Sequence, residues 1–221
     1  MAFPVVQSLT ATLFGADATA HLVSMPAVVD AGDLLLCLFA NGDNGAGSAV
    51  TTPAGWTQLF SVVNTATVRL GVYAKDAAGT EDGTTVDFVT ALDEQAAAHV
   101  YRITAWAGVV PDDVEVSASA TGTSDAPDPA SLTPSWGAKD TLWIAAQGND
   151  VASATTAYPT SYTNGTNSIS GGVNGCALST ARRELNAASE NPGAFTLANP
   201  ELWVAVTVAV EPADGAPPPS V

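Results

Sequence analysis

The chain has 221 residues, and its 22 Asp and Glu against 6 Lys and Arg give a formal net charge of −16 at pH 7. Only 13% of the residues are charged and 47% are hydrophobic, which excludes a disordered acidic polypeptide, because such chains combine high charge with low hydrophobicity. The scarcity of basic residues argues against partners such as nucleic acid or an anionic membrane surface, since both recruit clustered Lys and Arg.

The N-terminal sequence has neither the basic nor the apolar region of a signal peptide. The most apolar run, residues 34–40, is far shorter than the roughly 20 residues that a membrane helix needs. We therefore expect the protein to be made and assembled in a cytoplasm. Cys37 and Cys176 lie in apolar runs and are expected to be buried free thiols, while the sequence leaves a disulfide between them open.

Taken in chain order, the predicted elements are strands separated by turns. Gly, Asn and Pro punctuate the chain between them, and only residues 181–189 allow a short helix, with a strand edge plus loop as the alternative. Regularly spaced strands of this kind predict an all-β protein with a jelly-roll-like β-sandwich. Apolar strand-like runs or period-two alternation occur at residues 34–40, 68–75, 96–104, 141–147 and 202–210.

The second half of the chain repeats the pattern of the first. A shift of about 107 residues matches the two halves, so residues 9–104 and 116–208 are predicted to be two pseudo-repeats in one domain of residues 1–210. The last strands are matched at a shift of 104. Matched pairs are Gly15 and Gly122, Asp33 and Asp140, Asp43 and Asp150, Trp56 and Tyr162, Lys75 and Arg183, Glu81 and Glu190, and Phe88 and Phe195.

Two packings of the repeats compete. They could form tandem sandwiches joined at residues 108–114, or they could share one core with pseudo-two-fold symmetry. We favour the shared core, because no flexible Gly/Ser-rich or Pro-rich linker separates the halves. Residues 211–221, which contain four prolines, are predicted to be a disordered tail.

No pattern of catalytic residues is evident. The sequence lacks the common nucleophile, metalloprotease and phosphate-binding motifs. His21 and His99 fall within predicted strands, where packing or hydrogen bonding is their expected role. We therefore expect a non-enzymatic protein that has no cofactor.

One loop has the composition of a calcium site. Asn41, Asp43 and Asn44 place oxygen ligands close together, and Asp150 repeats the position of Asp43 in the second half. The loop lacks the spacing and the closing Glu of an EF-hand, and Asx-rich turns are common without metal. These four residues are therefore weak calcium candidates.

Two tryptophans are candidates for interaction. Trp143 and Trp203 alternate with the aliphatic residues of their strands, so each lies on the opposite face. Packing within the core is one role for such rings, and stacking on a sugar or filling a partner's groove is the other. The second role would make the chain a carbohydrate-binding module for host adsorption.

Six short runs carry a resemblance. They are Gly32-Asp33-Leu34-Leu35-Leu36, Pro53-Ala54-Gly55-Trp56-Thr57, Leu70-x-Val72-Tyr73-x-Lys75, Val100-Tyr101-Arg102-Ile103, Asp140-Thr141-Leu142-Trp143-Ile144-Ala145 and Trp203-Val204-Ala205-Val206-Thr207-Val208. Together they resemble a β-sandwich family of virion structural proteins encoded by tailed bacteriophages.

The resemblance implies a structural role in the virion, either as a capsid decoration (cement) protein or as a tail fibre or spike component. The implied partners are the major capsid protein or other virion proteins, with assembly in the host cytoplasm. A homo-oligomer, with a trimer as the expected state, fits that class. The resemblance supplies no catalytic residue.

Overall fold

The computed structural model describes residues 2–42, 48–151, 153–171 and 175–214. Strands make up all the regular structure of these residues, and none of them belongs to a helix that could cross a membrane. In chain order the strands are β1 Val5–Ser24, β2 Leu34–Gly42, β3 Val50–Thr51, β4 Thr57–Asn64, β5 Val68–Asp76, β6 Thr85–Thr104, β7 Val114–Val116, β8 Ala120–Ser124, β9 Lys139–Asp150, β10 Thr155–Ala157, β11 Thr163–Ile169, β12 Cys176–Ala187, β13 Thr196–Leu197 and β14 Glu201–Val210.

Each half of the chain forms one large antiparallel sheet, and in the second half β10 and β13 pair in an additional two-stranded sheet. The first sheet has the order β1-β6-β2-β5-β4, with β3 paired to β6. The second has the order β11-β12-β9-β14-β7, with β8 also paired to β14. The counterparts of β6, β2, β5 and β4 in the second half are β14, β9, β12 and β11, and β7 and β8 together correspond to β1. Read from β7 to β11, the second sheet therefore has the same strand order as the first. The predicted all-β sandwich is thereby confirmed as two sheets of equal design.

The sheets pack so that the strand at one end of the first sheet lies opposite the counterpart of the strand at its other end. Strand β1 contacts β11, β6 contacts β12, β2 contacts β9, β5 contacts β14 and β4 contacts β7. When each strand is replaced by its counterpart in the other half, the same set of contacts results. The halves are therefore related by a pseudo-two-fold axis that passes near β2 and β9.

The two halves share one core between the sheets. Even-numbered residues of β2 face β9 because successive side chains of a strand alternate between its faces. Leu34, Leu36 and Leu38 pack there with Leu142 and Ile144 in a single cluster of buried side chains. This is the shared-core packing and not a pair of separate sandwiches.

Each sheet is also covered on its outer face, which explains why β2 is apolar along its whole length. Over the first sheet, the end of β1 and the start of β6 fold back, so that Phe88 stacks on Phe39 with ring centroids 5.3 Å apart. Over the second sheet, Phe195 and Leu132 pack against Trp143. The described residues therefore form three apolar layers, one central and two peripheral.

Matched residues of the two halves form equivalent contacts. The Nζ atom of Lys75 lies 2.7 Å from Oε1 of Glu81, and Nη1 of Arg183 lies 3.0 Å from Oε1 of Glu190. The amides of Trp56 and Tyr162 both donate to the carbonyl of the proline three residues earlier, at 3.1 Å.

The strand registers correct part of the alignment of the halves. Leu35 pairs with both Lys75 and Arg102, and Trp143 pairs with both Arg183 and Ala209. Taking Lys75 and Arg183 as equivalent, β2 matches β9 at a shift of 108 and β6 matches β14 at 107. The predicted shift of 104 for the last strands was wrong.

That register also changes the match of the acidic residues at the head of β2. With a shift of 108, Asp33 corresponds to Thr141 and not to Asp140. The match of Asp43 with Asp150 stays a prediction, because Asp43 lies outside the described residues.

Two further segments can be compared with expectation. Residues 181–187 belong to β12, which agrees with the strand-edge alternative and not with the short helix. The predicted disordered tail was placed too early, because residues 211–214 are bound to the sandwich: the amide of Glu211 donates to Asp113 O and that of Ala213 donates to Ala105 O, both at 3.0 Å. The remaining residues of that prediction, 215–221, lie outside the described part of the chain.

Candidate functional site

The two tryptophan candidates are buried. Trp143 is fully buried, and its Nε1 donates to the carbonyl of Leu185 at 3.1 Å. Trp203 is nearly as buried, with Nε1 donating to Oγ of Ser124 at 3.1 Å. Its ring lies against Gly122, where a Cβ would fall 2.4 Å from Trp203 Cζ2. Neither ring is exposed to stack on a sugar or to enter a partner's groove.

The calcium candidates fall into two groups. Asp43 and Asn44 lie outside the described residues. Asn41 is buried at the end of β2, where its Nδ2 donates to Ser48 O at 3.1 Å and to the carboxylate of Glu94. The side-chain amide nitrogen of Asn41 therefore forms hydrogen bonds within the protein that hold the end of β2 to Ser48 and Glu94.

Asp150 has a comparable local role at the end of β9. Its Oδ1 accepts a hydrogen bond from the Val151 amide at 3.0 Å. Next to it, the buried Asn149 donates from Nδ2 to the carbonyls of Val151 and Ser153. Among the described residues no cluster of three or more His, Cys, Asp and Glu has the arrangement to hold a metal ion.

Both histidines are buried, as the sequence indicated. His99 lies between the sheets, with Nδ1 2.9 Å from Oγ1 of Thr180 and Nε2 3.0 Å from Oγ of Ser168. The hydroxyl of Tyr101 also donates to Thr180, at 2.7 Å. Burial lowers the pKa of His99 to about 4 and raises the pKa of Tyr101 to about 12. Both side chains are therefore neutral near pH 7 and join β6 to β11 and β12.

His21 belongs to the cover of the first sheet. Its ring lies edge-on to Phe14 and Phe39, and Nε2 is 3.1 Å from Oγ1 of Thr90. Burial lowers its pKa. A neutral imidazole enclosed by aromatic rings packs the cover and does not face an open site.

The cysteines are buried free thiols. Burial raises the pKa of both thiols, that of Cys176 to about 12. Because the thiolate is the reactive form of cysteine, neither side chain is activated as a nucleophile near neutral pH.

Exposed apolar side chains lie on the ribbon formed by β1 and β6. Leu22 pairs with Asp87 and Ala20 pairs with Val89, so Leu22 and Val89 project from the same face. Leu92 follows three residues later, and Leu13 lies further along β1. We call Leu22 and Val89 the β1–β6 patch; their exposed fractions are 55% and 38%, and Leu13 and Leu92 are exposed elsewhere on the same two strands.

The sequence did not reveal this patch. Strand β1 alternates as expected, but its inward residues, such as His21 and Val23, face the cover of the first sheet. Leu22 therefore faces outward, although it is the more hydrophobic neighbour of His21. Only the folding back of the ribbon decides which face is buried, and no local pattern encodes that fold.

Comparison of the chain with protein-family models, with curated proteins and with solved structures finds no match.

Proposed function

We propose that the chain is a non-enzymatic structural protein of a bacteriophage virion, and that it decorates the capsid. The observation that carries the proposal is the β1–β6 patch. Apolar side chains exposed on one face of a protein with so acidic a composition favour contact with another protein, because leaving them in water is unfavourable.

The resemblance noted in the sequence supports the same role. Five of its six runs lie mostly in the interior of the sandwich: residues 34–36, 70–73 and 142–145, for example, lie in β2, β5 and β9. The sixth, residues 53–57, forms the turn that leads into β4. The six runs describe a scaffold, and a decoration protein needs a stable scaffold that presents a contact surface.

The net charge of −16 fits a partner with a basic or neutral surface. Repulsion between like-charged chains keeps free subunits soluble before assembly, and an oppositely charged shell would attract them. The proposed partner is the major capsid protein, and the proposed oligomer is a trimer assembled in the host cytoplasm.

Two other roles are outcomes of the test. A tail fibre or spike component would use the same scaffold at a different place in the virion. A carbohydrate-binding module built on exposed tryptophans loses its main support, because Trp143 and Trp203 are buried.

The test is to image virions labelled with an antibody raised against the purified chain and to measure its return to virions that lack it. We expect uniform labelling of heads and rebinding in a sedimentation assay. Substitutions L22D and V89D should weaken rebinding by about tenfold or more each, since each places a charge in an apolar contact.

The matched control is V28D. Val28 is as exposed as Leu22, at 55%, but lies outside the β1–β6 patch. It should rebind like the unchanged chain. Labelling confined to tails would assign the chain to a fibre or spike, and unlabelled virions would exclude a virion role.

A further inference from the structure

A polar cleft opens at the edge of the second sheet, between the turn that precedes β11 and the strand β12. Its volume is about 340 Å³. All the residues that line it are polar or charged: Ser161, Thr163, Asn164, Arg182, Arg183 and Glu184. We call it the Arg182 cleft.

The backbone of the cleft is held in an unusual conformation. Ser161 and Asn164 have φ values of 70° and 52°, in the left-handed region that glycine adopts most readily, that asparagine also adopts, and that is uncommon for serine. Between them, the ring of Tyr162 is buried in the cover of the second sheet. The buried ring anchors the turn, while its polar neighbours line the cleft. Such conformations persist where surrounding structure enforces them, and they concentrate at binding and catalytic sites.

Arg182 supplies a positive charge that no acidic side chain neutralises. Lys75, Arg102, Lys139 and Arg183 each form an ion pair with a carboxylate, whereas Arg182 forms none with any residue that the structure describes. Acidic residues outnumber basic ones 22 to 6 in the chain, so an arginine without an acidic partner stands out.

The neighbour of the guanidinium is an amide. In the orientation of Asn164 that satisfies both groups, Oδ1 lies 3.2 Å from Nε and 3.3 Å from Nη2 of Arg182. A guanidinium has five N–H donors in a planar fork that matches a carboxylate. Asn164 uses two of them and holds the plane in place, which leaves donors for a ligand.

Glu184 lies two residues further along β12, on the same face as Arg182. The two side chains form no ion pair with each other, since Glu184 too has none among the described residues. The cleft thus offers a donor fork at one point, a carboxylate acceptor at another and the hydroxyls of Ser161 and Thr163 beside them. Arg183 adds little net charge, because it is paired with Glu190.

These groups match a ligand that carries a carboxylate together with several hydroxyl groups. A phosphate or sulfate alone would leave Glu184 as a repulsive neighbour, and an aliphatic or aromatic acid would find no apolar residue among those that line the cleft. An acidic sugar residue satisfies both charges, because its carboxylate meets the guanidinium and its hydroxyls donate to Glu184.

We propose that the Arg182 cleft binds a carboxylated saccharide, with Arg182 binding the carboxylate and Glu184 accepting hydrogen bonds from the sugar hydroxyls. The proposal does not depend on the virion role, because it rests on residues outside the β1–β6 patch.

The test is to titrate the full chain with three acidic oligosaccharides: trigalacturonate, sialyllactose and a hyaluronan tetrasaccharide. Binding is measured by calorimetry and by amide proton–nitrogen NMR spectra. At least one should bind and shift the signals of residues 161–164 and 182–184, and the methyl ester of that saccharide should bind about tenfold more weakly or worse.

Variants locate the site. R182Q should lower the affinity about tenfold or more, and E184Q should lower it as well. The matched control is R69Q, which removes an arginine of β5 outside the cleft and should bind as the unchanged chain does. NMR spectra of the free variants check that each is folded. If R182Q does not fold, E184Q, at an exposed position, still tests the cleft.

Three results would overturn the proposal. The first is that none of the three saccharides binds at millimolar concentration. The second is that binding survives both cleft substitutions. The third is that inorganic phosphate or free glutamate binds as tightly as the saccharides, which would assign the cleft to small anions or amino acids.

Discussion

At the scale of single residues, the structure shows how a chain with so many acids still buries some of them. Glu81 is buried, yet it accepts hydrogen bonds from the amides of Ala78 and Thr80 and contacts Lys75. Burial alone would raise the pKa of its carboxyl group, but the hydrogen bond from Lys75 and those from the amides outweigh burial and lower the pKa to about 2. The folded protein therefore stabilises the ionised carboxylate of Glu81.

This makes stability depend on pH in acid. Because the pKa of Glu81 is lower in the folded state than its ordinary value of 4.5, its contribution is complete above about pH 4.5 and is lost as the pH falls towards 2. We expect E81Q to reduce the free energy of unfolding at pH 7 by about 1–3 kcal/mol and to flatten its decline between pH 4.5 and 2.

Urea unfolding at several pH values measures both effects. E184Q is the matched control, because the carboxylate of Glu184 is exposed and has no ion pair among the described residues. An E81Q profile parallel to that of the unchanged chain would contradict the prediction.

His99 predicts a second window at higher pH. The unfolded imidazole takes up a proton near pH 6.5, while the folded one stays neutral to about pH 4. Between these values the unfolded state binds more protons, so stability rises with pH and is lost as the pH falls from 6.5 to 4. The full effect is roughly 3 kcal/mol.

H99Q should remove this share of the pH dependence while lowering stability at pH 7, since Thr180 and Ser168 lose their partner. H21Q is the comparison, because it retains His99 and should keep the slope that His99 causes. Chemical unfolding between pH 7 and pH 4 measures the slopes. Equal slopes in H99Q and the unchanged chain would show that His99 does not carry the effect.

At the scale of elements, the segment after β14 acts as a strap across the end of the sandwich. The amide of Ala107 donates to Glu211 O at 3.0 Å, and Lys139 forms an ion pair with Glu211. Pro212 and Trp106 form an isolated antiparallel β-bridge. These contacts join the last described residues to the connection between the two halves.

Removing the strap should therefore destabilise the protein. We expect deletion of residues 211–221 to lower the free energy of unfolding by about 2–4 kcal/mol, since several hydrogen bonds and an ion pair are lost together. Deletion of residues 215–221 keeps all of these contacts and is the matched control. Thermal and urea unfolding would compare the two truncations, and equal stability would argue against the strap.

The elements also show how far sequence reasoning reaches. Period-two alternation predicted the strands and placed Trp143 and Trp203 opposite the aliphatic faces. It could not show that both faces of each sheet are buried, because the covers come from distant residues such as Phe195 and Phe88. The repeat was visible in scattered identities, but its register needed the strand pairs, since a shift of one residue exchanges the two faces.

The functional surfaces were harder to predict than the strands. The repeat sets Arg183 apart from Arg182, since Lys75 and Glu81 match Arg183 and Glu190. It does not single out Arg182 as a binding residue, because only the fold shows that Arg182 meets no carboxylate among the described residues. The same holds for Leu22 and Val23, of which the first is exposed and the second is buried.

At the scale of the whole molecule, the shared core predicts that the halves depend on each other. A half on its own would expose the inner face of its sheet, including residues 34–40 or 202–210, to water. We expect residues 2–106 and 107–214, expressed separately, to show no cooperative unfolding transition, whereas the intact chain unfolds in a single one. Circular dichroism and NMR spectra of each half provide the measurement, and a cooperative transition in either half alone would contradict the shared core.

The pseudo-two-fold axis has a consequence for how this protein can vary. In a dimer of identical subunits, every substitution appears twice, once in each subunit. Here the two sheets belong to one polypeptide, so Phe39 on one outer face can have Gln147 as its counterpart on the other. Both outer faces have aromatic covers. The first sheet also carries the apolar ribbon, while the second has buried hydrogen-bonding side chains and a charged cleft at its edge. Because both sheets belong to one polypeptide, substitutions can change one outer face of the sandwich without changing the other.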